Sequence, residues 1–419
     1  MRQSHLFTKT RREAPADEVA KNAQLLIRGG YVYKNMAGVY TFLPLGLRVI
    51  EKIKTIIRQE MDAIGGQEMY MPSLQDGRLW QLTGRWDDAV VDTWFKTHLH
   101  AGGEVGLAWT HEEVITDVMQ QYVSSYKDLP LYAYHIQTKF RNEMRAKSGI
   151  MRTREFWMKD LYSFSRTQAE HDEFYNACAA AYHRIFAQVG IGDQTYQTFA
   201  SGGAFTKFSH EFQTLAEAGE DVVYVNEAKN VAVNEEVLGQ ADLTELGVTR
   251  EELEQRKSIE VGNIFSLGTK FSDAIGLHFK DEHGELQPVI MGSYGIGPAR
   301  VMGTIVDLYA DDRGIVWPKS VAPFHIHLVA LNTDDAAIRD WADGVYTNLQ
   351  AQGVEVLYDD RDTRAGEKFA DSDLLGMPYR VVVSKKTKDS GQFEVVERAT
   401  GIVSHVAEGE LASLFERTS

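Results

Sequence analysis

The sequence predicts an α/β (α+β) chain of two domains: a longer one that mixes antiparallel strands with helices, and a shorter C-terminal one. Three observations carry this reading. Amphipathic stretches of helical period recur along the chain, residues 46–63 being the clearest. Residues 135–143 and 152–162 alternate with period two and are joined by the turn-rich RAKSG, which permits an antiparallel hairpin. Beyond Pro318 to Pro323 the texture changes to strands and helices in alternation over roughly a hundred residues, a unit with its own apolar strands.

In chain order, Leu47, Ile50, Ile53, Ile56, Ile57 and Met61 share one face of the first long helix, and Gly65-Gly66 stops it. A strand-like QEMYMPSL follows, with Pro72 marking an edge or a strand end. Residues 112–126 and 168–189 read as helices, and YAYHIQTKFRNEM alternates like a strand between them. Residues 234–258 are charged and poor in aromatics, an exposed helical excursion or connector. Strand signals return at IEVGNIFSLGTKF and QPVIMGSYGIG, and PARVMGTIVDLYAD has helical spacing with Pro298 suited to its first turn. The last unit reads HIHLVAL (strand), 335–352 (helix), VEVLYDD (strand), KFADSDLLGMP (helix), YRVVVSKK and FEVVERA (strands) and VAEGELASLFER (helix). The domains expected are therefore 1–318 and 323–419.

Composition narrows the function classes. With 43% hydrophobic residues the chain can build sizeable cores, and no stretch approaches the 18 or so apolar residues of a membrane span. A cytoplasmic protein with no membrane partner is expected. The single cysteine, Cys178, rules out an internal disulfide and a Cys-rich zinc site, and its place in FYNACAAAYHRIF fits a small buried hydrophobe. The formal net charge of -16 argues against a non-specific nucleic-acid binder. The charge is polarised, however: residues 1–60 hold 11 Lys+Arg against 5 Asp+Glu, and residues 211–260 hold 4 against 13.

Against that acidic background, KFRNEMRAKSGIMRTREFWMKD (139–160) holds seven cations. Alternation places Lys139, Arg141 and Glu143 on one strand face, and Arg152, Arg154, Phe156, Met158, Asp160 and Tyr162 share one parity on the return strand. Arginine forks suit phosphate oxygens, an aromatic ring can stack on a base, and a carboxylate can accept from an exocyclic amine. The set therefore suits a nucleoside triphosphate; a solvated hairpin whose arginines pair with Glu143, Glu155 and Asp160 explains it equally well. In MGSYGIGPAR (291–300) glycines between strand and helix allow close backbone approach to a ligand and Arg300 emerges in the first helical turn, although a plain tight turn accounts for the glycines too. In WTHEEVITDVM (109–119), Thr110 and Glu113 match a capping box, which leaves Glu112 free to face a cationic substrate group.

Taken together these pieces resemble class II aminoacyl-tRNA synthetases. F-R-x-E at Phe140 to Glu143, the loop, then Arg152, Phe156 and Asp160 at intervals of four resemble motif 2; GIGPAR resembles motif 3; the helix ending at Gly65-Gly66 and the strand through Pro72 resemble motif 1. Over nearly the whole chain, WTHEEVIT, TKFRNEMRAKSGIMRTREF, EVGNIFSLGTKFSDAI, MGSYGIGPAR and VLYDDRDTRAGEKFADSDLLGMP are similar to bacterial-type prolyl-tRNA synthetases. The resemblance implies a catalytic domain on an antiparallel sheet flanked by helices, followed by a mixed-sheet α/β anticodon-binding domain. It implies ATP-dependent ligation of L-proline to tRNA(Pro) through a prolyl adenylate, with ATP and Mg²⁺ (ligands unknown), tRNA(Pro) and a homodimer.

Residue by residue, the resemblance gives Arg141 the α-phosphate and the proline carboxylate, Glu143 the adenine amine and Arg152 the distal phosphates. It places Phe156 and Arg300 on either side of adenine, and Thr110 and Glu112 at the proline amine, which revises the capping reading of Thr110. Tyr162, Asn263 and Ser293 belong to the same proline pocket. Arg145 and Lys147 fall in a loop suited to closing over ATP or reaching the tRNA acceptor end, and Asp360, Arg361, Lys368, Lys385 and Lys386 are candidates for RNA contact. The chain departs from the family at Trp109, where proline is usual, at Ser293, where cysteine is frequent, and at Asn263, where histidine is frequent. Between Val233 and Ile259 it has only the short acidic stretch where many members insert an editing domain, so cis-editing is expected to be absent and a separate protein could clear Ala-tRNA(Pro). Another class IIa synthetase, or a non-catalytic tRNA-binding paralogue, is the alternative.

Overall fold

A computed structural model describes residues 1–201, 208–240, 243–244 and 246–415. It divides into two compact units: Met1–Asn35, Tyr40–Lys52 and Ile305–Ser419 in one, Met36–Val39 and Ile53–Thr304 in the other. No helix among the described residues is long and apolar enough to cross a membrane.

The larger unit is organised by a mainly antiparallel sheet. Its described strands run in the order Phe208–Leu215, Thr195–Ser201, Val231–Asn234, Asp221–Asn226, Glu254–Gly268, Ile290–Ile296, Glu155–Ser165, Leu131–Phe140 and Gln67–Glu68. The strand Glu254–Gly268 is long enough to pair at one end with Asp221–Asn226, in its middle with Phe208–Leu215 and at its far end with Ile290–Ile296. The helix Gln168–Gln188 buries Phe174, Cys178, Tyr182, Ile185 and Phe186, and burial pushes the Cys178 thiol up to about 12, the inert apolar role expected of it. A second apolar cluster gathers Trp80, Trp94, Trp109, Ile115, Tyr162, Phe164, Phe271 and Met291.

The helix Pro44–Ala63 follows its apolar period except at Leu47, which is exposed, and it ends as expected because Gly65 takes φ +89°, a left-handed conformation that stops a helix. Several expected elements are shorter or different. QEMYMPSL supplies only Gln67–Glu68 and the start of Leu74–Asp76, because Pro72 has no N–H to give a ladder. The helix expected over 112–126 stops at Met119. The acidic stretch 234–258 is not a helical excursion: it holds 3₁₀ turns at Glu235–Val237 and Arg250–Glu252, and from Glu254 it is sheet, since its end pairs in register with 221–225. Residues 241, 242 and 245 lie outside the described residues.

In the smaller unit, Val356–Asp359, Ile326–Ala330 and Tyr379–Val383 are parallel, and Gln392–Glu397 and Val403–Ala407 continue the sheet antiparallel. Helices Ala336–Ala351 and Ala365–Leu375 make the parallel crossovers, as the alternating pattern requires. Lys385 and Lys386 do not extend a strand; they open the helix Lys385–Ser390, capped by Ser384. The final helix expected from Val406 is instead the strand through Ala407 and two 3₁₀ turns up to Phe415; residues 416–419 lie outside the described residues.

Candidate active site

The hairpin of Leu131–Phe140 and Glu155–Ser165, next to the sheet's last strand, sets the site. Its strands pair Phe140 with Glu155, Lys139 with Phe156, Gln137 with Met158, His135 with Asp160 and Ala133 with Tyr162. Lys139, His135, Phe156, Asp160 and Tyr162 therefore share one face, as strand parity predicts. The strands are shorter than read, however. Leu131–Phe140 ends before Arg141 and Glu143, and Glu155–Ser165 begins after Arg152 and Arg154. Turn geometry, not alternation, orients those four, and Arg154 turns away, donating to the carbonyls of Glu143 and Ala37.

Arg141, Glu143, Arg152, Phe156 and Arg300 nonetheless line a single cavity, with Glu220, Asp221 and Glu260. Arg141 lies between two rings, its Cζ 5.1 Å from the Trp109 centroid and 5.4 Å from that of Phe156, and its enclosed Nε has no hydrogen-bond partner. Burial and then Arg300 depress its proton affinity, against the opposing pull of the Asp160, Glu260 and Glu143 carboxylates. Arg300 donates to Glu260 at 2.8 Å, and the Glu143 carboxylate accepts from Arg152 at 3.2 Å. In the loop, Lys147 pairs with Glu220 at 2.8 Å.

A second group sits on neighbouring strands. Asn263, Gly295, Asp160 and His135 form one cross-strand row, and Phe265, Ser293, Tyr162 and Ala133 form the row two residues on, with the same facing. A Cβ at Gly295 would meet the Asn263 side-chain oxygen at 2.7 Å, so any larger residue there would displace that side chain. Ser293 donates to Glu112 at 3.0 Å, and buried Tyr162 is its cross-strand neighbour. Thr110, Glu112, Tyr162 and Ser293 are all buried. The capping box is overturned: the helix Glu112–Met119 starts from His111 without a side-chain cap, because the Glu113 carboxylate is bound to Arg85 and to the Thr83 hydroxyl.

Sequence reasoning missed what lies beneath. The buried Lys139 ammonium meets His111 Nδ1 at 2.5 Å, His135 Nε2 at 2.8 Å and Asp160 at 2.7 Å, one acceptor for each of its three N–H bonds. The ligand atoms of His111, His135 and Asp160 lie within 4.8 Å of one another, a spacing a metal ion could bridge, but the ammonium already occupies that seat. Burial and the lysine charge hold His135 down at about 4 and His111 well below its usual value, while Lys139 keeps Asp160 ionised. Parity could have placed Lys139, His135 and Asp160 on one face; nothing in the spacing brings in His111 or Arg85.

In the smaller unit three of the RNA-contact candidates are already engaged. Lys368 is 1% exposed and donates to the Ala330 carbonyl at 2.7 Å, so it has no surface for RNA. Arg361 pairs with Asp359 and Asp371 at 2.7 and 2.8 Å, and Asp360 accepts from Ser4 and Arg2, so both candidates are held in ion pairs or hydrogen bonds within the unit. Lys385 and Lys386 remain exposed.

A mainly antiparallel sheet with three arginines and a ring lining one cavity, followed by a mixed α/β unit, defines a class II aminoacyl-tRNA synthetase. Residues 95–309 match the tRNA synthetase class II core domain (G, H, P, S and T), and residues 321–418 match the anticodon binding domain. Proline–tRNA ligase 1 of Bacillus thuringiensis subsp. konkukian (strain 97-27) and the proline–tRNA ligase of Bacillus mycoides (strain KBAB4) are each 33% identical over 98% of this chain and 98% of their own length. Those alignments run over 561 positions, well beyond the 419 residues present here. The chain belongs to the proline–tRNA ligase family. The fold is also that of the prolyl-tRNA synthetase of Cryptosporidium parvum solved with L-proline and AMP, at a TM-score of 0.75 and 18% identity over 94% of this chain and 74% of that one.

Proposed function

We propose that this protein activates L-proline with ATP and transfers it to tRNA(Pro), the observation that carries the reading being the Arg141 guanidinium held between two rings in one cavity with Glu143, Arg152, Phe156 and Arg300. Arg141 takes the α-phosphate and the proline carboxylate, Arg152 the distal phosphates; Phe156 and Arg300 hold adenine, and Glu143 its amine. Thr110, Glu112, Tyr162, Asn263 and Ser293 form the proline pocket. The proline carboxylate attacks the α-phosphorus in line and pyrophosphate leaves, while the arginines stabilise charge that grows in the transition state. No protein nucleophile is needed. The terminal ribose hydroxyl of the tRNA then displaces AMP from the adenylate, a step served chiefly by positioning.

Mg²⁺ would neutralise phosphate charge during activation. Asp221 and Glu260, which line the same cavity as the arginines, are hard oxygen donors that would hold it, Glu260 being also bound by Arg300 at 2.8 Å. The same reading takes 1–318 as the catalytic part and 323–419 as the anticodon-binding part, with Lys385 and Lys386 as the exposed candidates for RNA contact. It takes the protein as a cytoplasmic homodimer. The extra positions in the relatives' alignments support a form that lacks the editing insert, with mischarged Ala-tRNA(Pro) left to a separate protein.

The test is exchange of labelled pyrophosphate into ATP with each of the twenty amino acids. Exchange should depend on proline and be lost in Arg141→Ala; exchange with another amino acid alone, or none, rejects the function.

A further inference from the structure

Arg85 lies in the turn after the helix Gly77–Leu82 and is 1% exposed. Its guanidinium is enclosed by rings, 4.7 Å from the centroids of Trp80 and Phe271 and 5.6 Å from that of Trp109, and its backbone carbonyl accepts from the Trp94 indole at 3.1 Å. This ring-lined seat fixes where the charge sits. It grips Glu113 with two bonds, Nε at 2.7 Å and Nη2 at 2.6 Å, and reaches Glu112 with Nη2 at 3.0 Å. The other Glu112 oxygen accepts from Ser293 at 3.0 Å. Both oxygens of the carboxylate assigned to the proline amine are thereby aimed from opposite sides, one by a cation and one by a hydroxyl.

We infer that Arg85 is the positioning residue of the amino-acid pocket: it holds Glu112 in place through a shared ion triad, and so governs binding of the substrate ammonium without acting on ATP. The charge count supports this. At formal charges Arg85, Glu112 and Glu113 carry one net negative charge, which the secondary ammonium of the substrate completes. Buried at 1% exposure or less, these side chains have no water to make up for a missing partner, so removal of the arginine leaves two like charges side by side. Glu113, which the sequence offered as a helix cap, is on this account the anchor that orients Arg85. The inference rests on the assignment of Glu112 to the proline amine.

The test measures pyrophosphate exchange as a function of proline and of ATP for Arg85→Met, Arg85→Lys, Glu113→Gln and Glu112→Gln in the full chain. Arg85→Met should raise KM for proline by roughly ten- to a hundredfold, with KM for ATP within about twofold of the parent. Arg85→Lys should recover part of that loss, since an ammonium keeps the charge without the fork. Where Arg85→Met does not fold, Glu113→Gln should move KM for proline in the same direction by a smaller factor. The thermal shift produced by proline should shrink in these variants while that produced by ATP persists, a separation that a merely structural role does not produce. Equal movement of both KM values, or an unchanged KM for proline in Arg85→Met beside a raised one in Glu112→Gln, overturns the inference. An unchanged KM for proline in Glu112→Gln removes the amine assignment itself, and the inference with it.

Discussion

Lys139 carries a full charge in the interior, and its three acceptors explain how. Each N–H bond has one partner, which requires neutral His111 and His135 and an ionised Asp160. The His111 ring also meets the Pro72 carbonyl at 3.1 Å, so the lysine ties the segment bearing Thr110 and Glu112 to the hairpin. Lys139→Met keeps the chain length and removes the charge, leaving Asp160 buried without its cation. A loss of about 3–5 kcal/mol in urea unfolding is expected, since breaking a buried pair from one side is far worse than replacing both partners. A variant as stable as the parent would mean the two histidines alone satisfy Asp160. This residue is partly legible in the sequence: parity gives Lys139 and Asp160 each a face of its own strand, yet that the two faces coincide depends on strand pairing.

At the level of elements, the sequence predicts period and punctuation better than it predicts where an element ends. The helix Pro44–Ala63 stops where Gly65 takes a positive φ, and a Cβ there meets nothing closer than the Tyr132 ring at 3.6 Å. Gly65→Ala therefore tests backbone conformation without a clash, and should destabilise the protein by about 1 kcal/mol in urea unfolding. Arg141 and Glu143 lie beyond the strand into which alternation placed them, because the chain leaves the ladder after Phe140: the Asn142 amide donates to the Thr93 carbonyl, not to a partner strand. The 254–258 segment shows the converse. Its composition is that of a solvated surface, and long-range pairing with 221–225 makes it sheet all the same.

For the molecule as a whole, buried neutral histidines link stability to pH. His135 and His327 are each held down at about 4, chiefly by burial, against an ordinary value near 6.5. Their stabilising effect is complete above about pH 6.5; as pH falls from there towards 4 the unfolded chain takes up protons that the folded one refuses, so stability declines. A loss on the order of 3 kcal/mol for each histidine is expected across that window, and His135→Gln or His327→Gln should flatten the dependence of Tm on pH. A Tm that stays level between pH 6.5 and 4.5 contradicts this. The sequence by itself determined the class of fold, the two-part organisation and the identities of the arginines, ring and carboxylate that share one cavity, Arg141, Arg152, Arg300, Phe156 and Glu143. The fold follows from periods of 2 and 3.6, which act over a few residues, and the site residues from local residue chemistry together with the family resemblance. Only the tertiary structure decided that Arg85 grips Glu112 and Glu113, that Lys139 fills a seat between two histidines, and that Lys368 is buried. Each of these joins residues far apart in the chain, and partners brought together by strand register and burial leave no periodic trace in the order of amino acids.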